Sequence, residues 1–158
     1  MPQFRILFVC LGNICRSPLA HAVFEDLAKK NNLTDKFEID SCGTGAWHTG
    51  ELPDKRMRKE ASKHGVAMDH PARTLQKNDF EYFDLILPMD LANYDNLKKK
   101  SDRKFHEKIK MFRSFDPKTQ NPSAEVPDPY FGDQNGFANV YETVERTCKN
   151  LLKELNNI

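Results

Sequence analysis

Cys10 and Arg16 are separated by five residues near the start of this 158-residue chain. The apolar run Phe4–Val9 comes directly before Cys10 and predicts a buried strand. The pair Ser17-Pro18 follows Arg16 and predicts the start of a helix, because Ser is a common cap and Pro suits the first turn. The sequence therefore places a thiol where a strand ends and a guanidinium where a helix begins.

This arrangement is typical of a phosphate-binding loop with a nucleophile at its base. A loop that leads into a helix directs backbone N–H groups toward one point, and the helix dipole adds positive charge there. The planar guanidinium of Arg16 matches tetrahedral oxyanions. We expect Cys10 to favour its thiolate in that field and to attack phosphorus. No Gly-Lys-Ser/Thr follows Gly12, so the loop is not a nucleotide-binding P-loop.

The same spacing also fits a structural interpretation, in which Cys10 is a buried hydrophobic residue and Arg16 a solvated one. Gly12 and Asn13 inside the loop favour the functional interpretation. We expect Asn13 to adopt a left-handed backbone conformation, which Asn tolerates better than most residues. Backbone N–H groups between Cys10 and Arg16 would then hold the phosphoryl oxygens, and Ser17 can offer its hydroxyl to the thiolate.

The segment Cys10–Pro18 resembles the signature of the low-molecular-weight protein tyrosine phosphatases. Asp128-Pro129-Tyr130 resembles the general-acid motif of that family, and the resemblance covers nearly the whole chain. It implies metal-free hydrolysis of phosphotyrosine in proteins and of small aryl phosphates, without a cofactor and through a cysteinyl-phosphate intermediate. Cys10 would be the nucleophile, Arg16 the phosphate ligand and Asp128 the proton donor. Phosphate-like oxyanions would inhibit such an enzyme.

The substrate would lie between the loop and an aromatic rim, with Trp47 and Tyr130 placed there by the resemblance. The predicted binding residues are Leu11, Gly12, Asn13, Ile14, Cys15, Trp47, Tyr130 and Phe131. The resemblance further implies supporting hydrogen bonds from Ser41 and His70 to Asn13.

Other assignments stay open when the residues are considered without the resemblance. Asp90, Asp116 and Asp128 are then equal candidates for the proton donor, and the resemblance favours Asp128 and makes Asp90 a structural partner. A thiol-dependent arsenate reductase would need further cysteines near the third strand, but none lies between residues 43 and 147. A redox-sensing phosphate-binding module is a third possibility, since Cys10 and Cys15 share one loop and could form a reversible disulfide.

The strands and helices expected around these residues indicate an α/β fold. We expect the whole chain, residues 1–158, to form one phosphatase domain. Strands are expected at 4–9, 37–42, 84–87 and 109–112, and helices from Ser17, from Pro53 to His64, from 91 to 97 and from Gly136 onward. Such alternation is typical of an open parallel sheet with helices on both faces, which makes three layers. The resemblance implies four strands in the order 2-1-3-4, with the phosphate-binding loop after strand 1.

The composition of the chain limits which binding partners and which cellular location we expect. The net charge of +1 gives no sign of nucleic-acid binding. No apolar stretch approaches the roughly 20 residues of a membrane span, and we expect no signal peptide. The four cysteines are too few for a disulfide scaffold, which favours a reducing, cytoplasmic location.

Overall fold

A parallel sheet forms the centre of the computed structural model, which describes residues 3–130 and 134–156. Within these residues β1 (Phe4–Cys10) lies between β2 (Phe37–Gly43) and β3 (Leu85–Pro88), so the order is β2-β1-β3. The registers align Ile6 with Ile39 of β2 and with Leu85 of β3. The carboxyl end of β1, where Cys10 lies, is therefore at the centre of one sheet edge.

The predicted fourth strand is reduced to a single bridge. Ile109 pairs in parallel with Ile86 of β3, which gives the fourth position of the predicted order. The chain then turns into a 3-10 helix that begins at Phe112, because the ring of Phe112 packs edge-on against Phe8 with centroids 5.7 Å apart. Placing Phe112 in the core ends the pairing that a longer strand would need.

Helices cover both faces of the sheet. The helices are α1 (Arg16–Lys30), α2 (Lys55–Lys63), α3 (Asp79–Tyr82), α4 (Leu91–Lys100) and α5 (Gln134–Asn156). Further 3-10 turns span Thr34–Lys36, Arg103–Lys108 and Phe112–Phe115.

Alternate residues of β1 enter different cores, which explains why the strand is apolar throughout. Ile6 and Phe8 pack with α1, α2 and α5, whereas Leu7 and Val9 pack with α3 and α4. The three predicted layers are confirmed.

Several helix ends differ from the sequence-based expectation. The first helix begins at Arg16, and the side chain of Ser17 does not cap it. The last helix begins at Gln134, two residues before Gly136. Asp54 caps α2 as its position suggests, accepting a hydrogen bond from Arg56 N.

The long apolar face of the last helix is confirmed, and its predicted core residues are all buried. They are Phe137, Val140, Tyr141, Val144, Cys148, Leu151, Leu152 and Leu155. Among the described helices, none has both the length and the apolar composition needed to cross a bilayer.

Candidate active site

The segment between Cys10 and Arg16 connects the end of β1 to the start of α1. Asn13 has φ of 57°, the left-handed conformation predicted for it, and is fully buried. Within residues 3–130 and 134–156, no backbone N–H from Leu11 to Cys15 donates a hydrogen bond to a protein acceptor. Backbone donors are nearly always paired in folded proteins, so a curved run of unpaired donors indicates an anion-binding loop.

Asn13 holds this loop in shape through its side chain. Its Nδ2 donates to Ser17 Oγ over 2.8 Å, and its Oδ1 accepts from Arg73 N over 3.1 Å. Because both ends of the amide are used, the left-handed turn is fixed from α1 on one side and from the segment after α2 on the other.

The end of β2 supports the loop from below. Thr44 N donates to Cys10 O and Gly45 N to Leu11 O, both over 2.9 Å. Gly43 lies so close to the loop backbone that an added Cβ would be 2.8 Å from Leu11 O. Only glycine fits here without displacing the loop backbone.

Cys10 is 3% exposed, and its Sγ lies 3.0 Å from Ser17 Oγ. The Ser17 oxygen already accepts a proton from Asn13, so its own proton is available for Cys10 Sγ or for Cys42 O, which is 3.4 Å away. A hydroxyl donated to sulfur stabilises a thiolate. The Ser17 side chain thus contacts Cys10 instead of capping the helix.

Arg16 is buried, and its two terminal nitrogens have different partners. Nη1 donates to Asp90 Oδ2 over 2.7 Å and to Val126 O over 3.0 Å, while Nη2 lies 3.6 Å from Asp128 Oδ2. Burial opposes its charge, but Cys10 and then Asp90 outweigh that cost and raise the pKa of Arg16. The guanidinium therefore stays charged, with one nitrogen anchored and the other directed at the cleft.

Asp128 lies at the mouth of the cleft on the loop that precedes α5. Its side chain is 37% exposed, and its Oδ1 accepts from Tyr130 N over 3.0 Å. Its other oxygen faces Arg16, so the carboxyl group is positioned above the phosphate-binding loop.

The other two candidate proton donors have structural partners instead. Asp90 accepts from Arg16 and also from Asn93 N, which caps α4. Asp116 is completely buried and is bonded to Arg113 and Arg146. These bonds, with that of Arg146 the strongest, hold the pKa of Asp116 well below its usual range. Both carboxylates are therefore already engaged by arginine side chains.

A cleft of about 200 Å³ opens above the loop, somewhat larger than the roughly 150 Å³ cavity that accepts benzene. Its lining residues are Cys10, Leu11, Gly12, Ile14, Cys15, Arg16, Trp47, His48, Asp128 and Tyr130. Trp47 and Tyr130 are aromatic residues of this lining.

Two of the predictions for this site differ from the structure. Asn13 supports the loop from beneath instead of lining the cleft. The described hydrogen bonds do not join it to Ser41 or His70, because the hydroxyl of Ser41 faces His21 at 3.0 Å and His70 at 3.5 Å. Phe131 lies outside the described residues.

Sequence reasoning missed two residues of the site. His48 lines the cleft and is held by Glu51, 2.8 Å from its Nδ1. Arg73 positions Asn13 and also pairs with Asp40 and Asp79. The only signal for His48 was its position beside Trp47 in the glycine-containing loop.

The remaining cysteines differ in environment from Cys10. Burial, reinforced by the charges of Asp54 and Cys10, raises the pKa of the Cys15 thiol above its usual range. Burial also raises the pKa of Cys42 and Cys148, and both are fully enclosed. Cys15 alone of the three lines the cleft.

Comparison with known proteins gives one consistent result. The model of the low molecular weight phosphotyrosine protein phosphatase family matches residues 5–158. The chain is 42% identical to the low molecular weight phosphotyrosine protein phosphatase of Gallus gallus over 94% of each chain. It is 41% identical to the Schizosaccharomyces pombe protein of that name over 97% of each.

Among solved structures, a protein tyrosine phosphatase from Entamoeba histolytica, crystallised with Hepes in its active site, superposes with a TM-score of 0.93. It is 39% identical, and the match covers 98% of both chains.

Proposed function

Because the chain belongs to the low molecular weight phosphotyrosine protein phosphatase family and is thus a protein tyrosine phosphatase, we propose that Cys10 performs its chemistry in two steps. The Cys10 thiolate attacks phosphorus, and the bond to the tyrosine oxygen breaks, which leaves a cysteinyl phosphate. Water then attacks this phosphorus, frees the thiolate and releases inorganic phosphate. The observation that carries the proposal is the position of Cys10 Sγ beneath a loop of unpaired N–H donors.

Arg16 and the loop stabilise the charge that spreads over the phosphoryl oxygens in the transition state. Since Nη1 is anchored by Asp90 and Val126 O, Nη2 is the nitrogen that binds phosphate. Phosphate replaces Asp128 as the partner of Nη2, which frees that carboxyl group for proton transfer.

Asp128 supplies the proton that the leaving tyrosine oxygen requires. The same carboxylate, once deprotonated, removes a proton from the attacking water in the second step. Its half-exposed place at the cleft mouth, within reach of an oxygen bound above Cys10, supports both roles.

The substrates are phosphotyrosine-containing proteins and small aryl phosphates, and phosphate-like oxyanions compete for the loop. Leu11, Trp47 and Tyr130 supply the apolar walls that an aromatic ring needs. The four free cysteines support work in the reducing cytoplasm. The family match over residues 5–158 supports one phosphatase domain.

The test is rapid-quench trapping of phosphate on the protein during hydrolysis of p-nitrophenyl phosphate in EDTA. The parent protein is expected to carry phosphate on Cys10, whereas Cys10→Ser is expected to lose turnover and still bind oxyanions. Cys148→Ala is the matched control, because it removes a thiol outside the cleft and should retain turnover. Substantial turnover in Cys10→Ser would contradict the covalent mechanism, and thioredoxin-coupled reduction of arsenate would favour the reductase.

A further inference from the structure

Two histidines and one carboxylate meet beside the phosphate-binding loop, outside the cleft. His21 comes from α1, Asp40 from β2 and His70 from the segment after α2. One ligand atom from each lies within 4.8 Å of the others. The two imidazole rings are in contact, with centroids 4.7 Å apart. Neither proton transfer nor substrate binding in the proposed reaction uses these side chains.

The hydrogen bonds around the cluster determine which ring nitrogens face it. His21 Nε2 lies 3.2 Å from Glu25 Oε1, so its proton is held there and Nδ1 presents a lone pair toward Ser41. His70 Nε2 lies 2.9 Å from Asp40 Oδ1, and His70 Nδ1 is 3.5 Å from Ser41 Oγ. Each ring therefore has one nitrogen that faces a group outside the cluster, which is Glu25 for His21 and Ser41 for His70.

Asp40 contributes its carboxylate to the cluster from the middle of β2, where it lies between His70 and Arg73. Arg73 holds Oδ2, while Oδ1 accepts from Ser41 N over 2.8 Å and lies 2.9 Å from His70 Nε2.

We propose that His21, Asp40 and His70 form a binding site for a first-row divalent metal ion, with zinc as the best-matched ion. His21 Nδ1, His70 Nε2 and Asp40 Oδ1 are the ligands, and water completes a tetrahedral site. The ion takes the place of the proton between His70 and Asp40, and it displaces the Ser41 hydroxyl from His21 Nδ1. The three ligand atoms lie within 4.8 Å of one another. Tetrahedral zinc ligands lie about 3.3 Å apart, so small side-chain rotations bring the three atoms to the spacing that zinc requires.

The surrounding groups match what a metal site of this kind requires. Histidine ligands of metals almost always donate their second ring N–H to a carboxylate or another oxygen, which fixes the ring. Glu25 provides that oxygen for His21, and Ser41 Oγ provides it for His70. Imidazole and carboxylate donors suit zinc better than they suit magnesium or calcium.

This site is connected to the phosphate-binding loop through Arg73. Asp40 Oδ2 binds the Arg73 side chain, and the N–H of Arg73 donates to Asn13 Oδ1. An ion that draws charge from Asp40 weakens the hold on Arg73, so metal binding acts on the loop without touching Cys10.

The test measures metal binding directly, in a Cys10→Ser background that removes the cleft thiol as a competing ligand. Zinc is titrated by calorimetry in phosphate-free buffer, and cobalt is titrated by absorption spectroscopy. We expect one ion per chain, a higher melting temperature with zinc, and a cobalt spectrum without a thiolate-to-cobalt charge-transfer band. Adding His21→Gln or His70→Gln is expected to weaken binding at least about tenfold.

His64→Gln in the same background is the matched control, because His64 also has a neighbouring glutamate but lies at the end of α2. It is expected to leave binding unchanged. His70 is less buried than His21, so its variant keeps the test valid if His21→Gln folds poorly. Unchanged affinity in both cluster variants, equal loss in His64→Gln, or a charge-transfer band would overturn the proposal.

Discussion

In the proposed reaction the two terminal nitrogens of Arg16 perform separate tasks, and a lysine cannot perform both. Nη1 is anchored by Asp90 and Val126 O, while Nη2 is available for phosphate. We expect Arg16→Lys to lower kcat/KM for p-nitrophenyl phosphate by about 10²–10³-fold, the usual cost of one lost oxyanion donor. Arg58→Lys is the control, since the Arg58 side chain donates to Pro53 O and does not line the cleft. Full activity of Arg16→Lys would refute this division of tasks.

The carboxyl group of Asp128 is expected to matter most for leaving groups that need a proton. Asp128→Ala should slow hydrolysis of phenyl phosphates with strongly basic leaving groups by about 10²–10⁴-fold. The loss should shrink as the leaving phenolate becomes a weaker base. Measuring kcat across a series of substituted phenyl phosphates tests this dependence, with Asp128→Asn as a variant of equal size. A loss that is constant across the series would assign the proton to another group.

Cys15 is suited to rescue an oxidised Cys10. Peroxide is expected to convert Cys10 to a sulfenic acid, which the Cys15 thiol then captures as a disulfide with loss of water. The raised pKa of Cys15 keeps it a thiol at neutral pH, so this capture should be slower than at an exposed cysteine. Dithiothreitol should restore activity to the parent protein and less of it to Cys15→Ser. Peptide mapping should find the linked pair, and equal recovery in both proteins would exclude Cys15.

At the scale of the elements, the end of β2 fixes the position of the phosphate-binding loop relative to the sheet. Gly43→Ala would place a Cβ 2.8 Å from Leu11 O, so strand and loop must separate. A shift of about 1 Å can cost about 10²-fold in rate. We expect kcat to fall by that order while circular dichroism stays unchanged. Gly136→Ala is the matched control, because its added Cβ would meet nothing nearer than 3.5 Å.

Local patterns were sufficient to predict β1, α2, the face of α5 and the strand–loop–helix arrangement around Cys10. They failed where a partner distant in sequence decides the outcome. The strand expected after Ile109 is replaced by a turn because Phe112 packs on Phe8, over a hundred residues away. The bond from Arg73 to Asn13 also spans the fold, and no spacing in the sequence indicates it.

The expected network of Ser41, His70 and Asn13 was wrong for a similar reason. The family resemblance supplied those partners, but His21 occupies the position beside Ser41. His21 comes from α1 and redirects the hydroxyl of Ser41 on β2, a contact that only the assembled structure reveals.

At the scale of the molecule, Asp116 joins the 3-10 turn Phe112–Phe115 to α5. Its buried carboxylate binds Arg113 and Arg146. Asp116→Asn is expected to lower the free energy of unfolding by about 1–3 kcal/mol, because it removes the charge from hydrogen bonds that two half-buried arginines make to a buried carboxylate. Urea denaturation measures this loss, with the exposed Asp102→Asn as control. A loss as small as that of the control would show that the pair contributes little.

The acid sensitivity of the fold follows from the same pair. Pairing lowers the pKa of Asp116 in the folded state, so its contribution is complete above the unfolded value of about 3.9. It is lost as the pH falls through the folded pKa. From pH 7 down to about pH 5 the stability difference between parent and Asp116→Asn should therefore stay constant, and below about pH 4 it should shrink progressively.

Trp47 gives the molecule a built-in optical reporter. It is the chain's single tryptophan, it is 70% exposed at the rim of the cleft, and its ring lies over Gly45. Indole emission therefore reports the cleft alone: an aryl ligand that covers the ring should shift the emission to shorter wavelength or quench it. Unfolding should change the emission little, because the indole is already in water, so fluorescence can follow ligand binding during a titration with little interference from the state of the core.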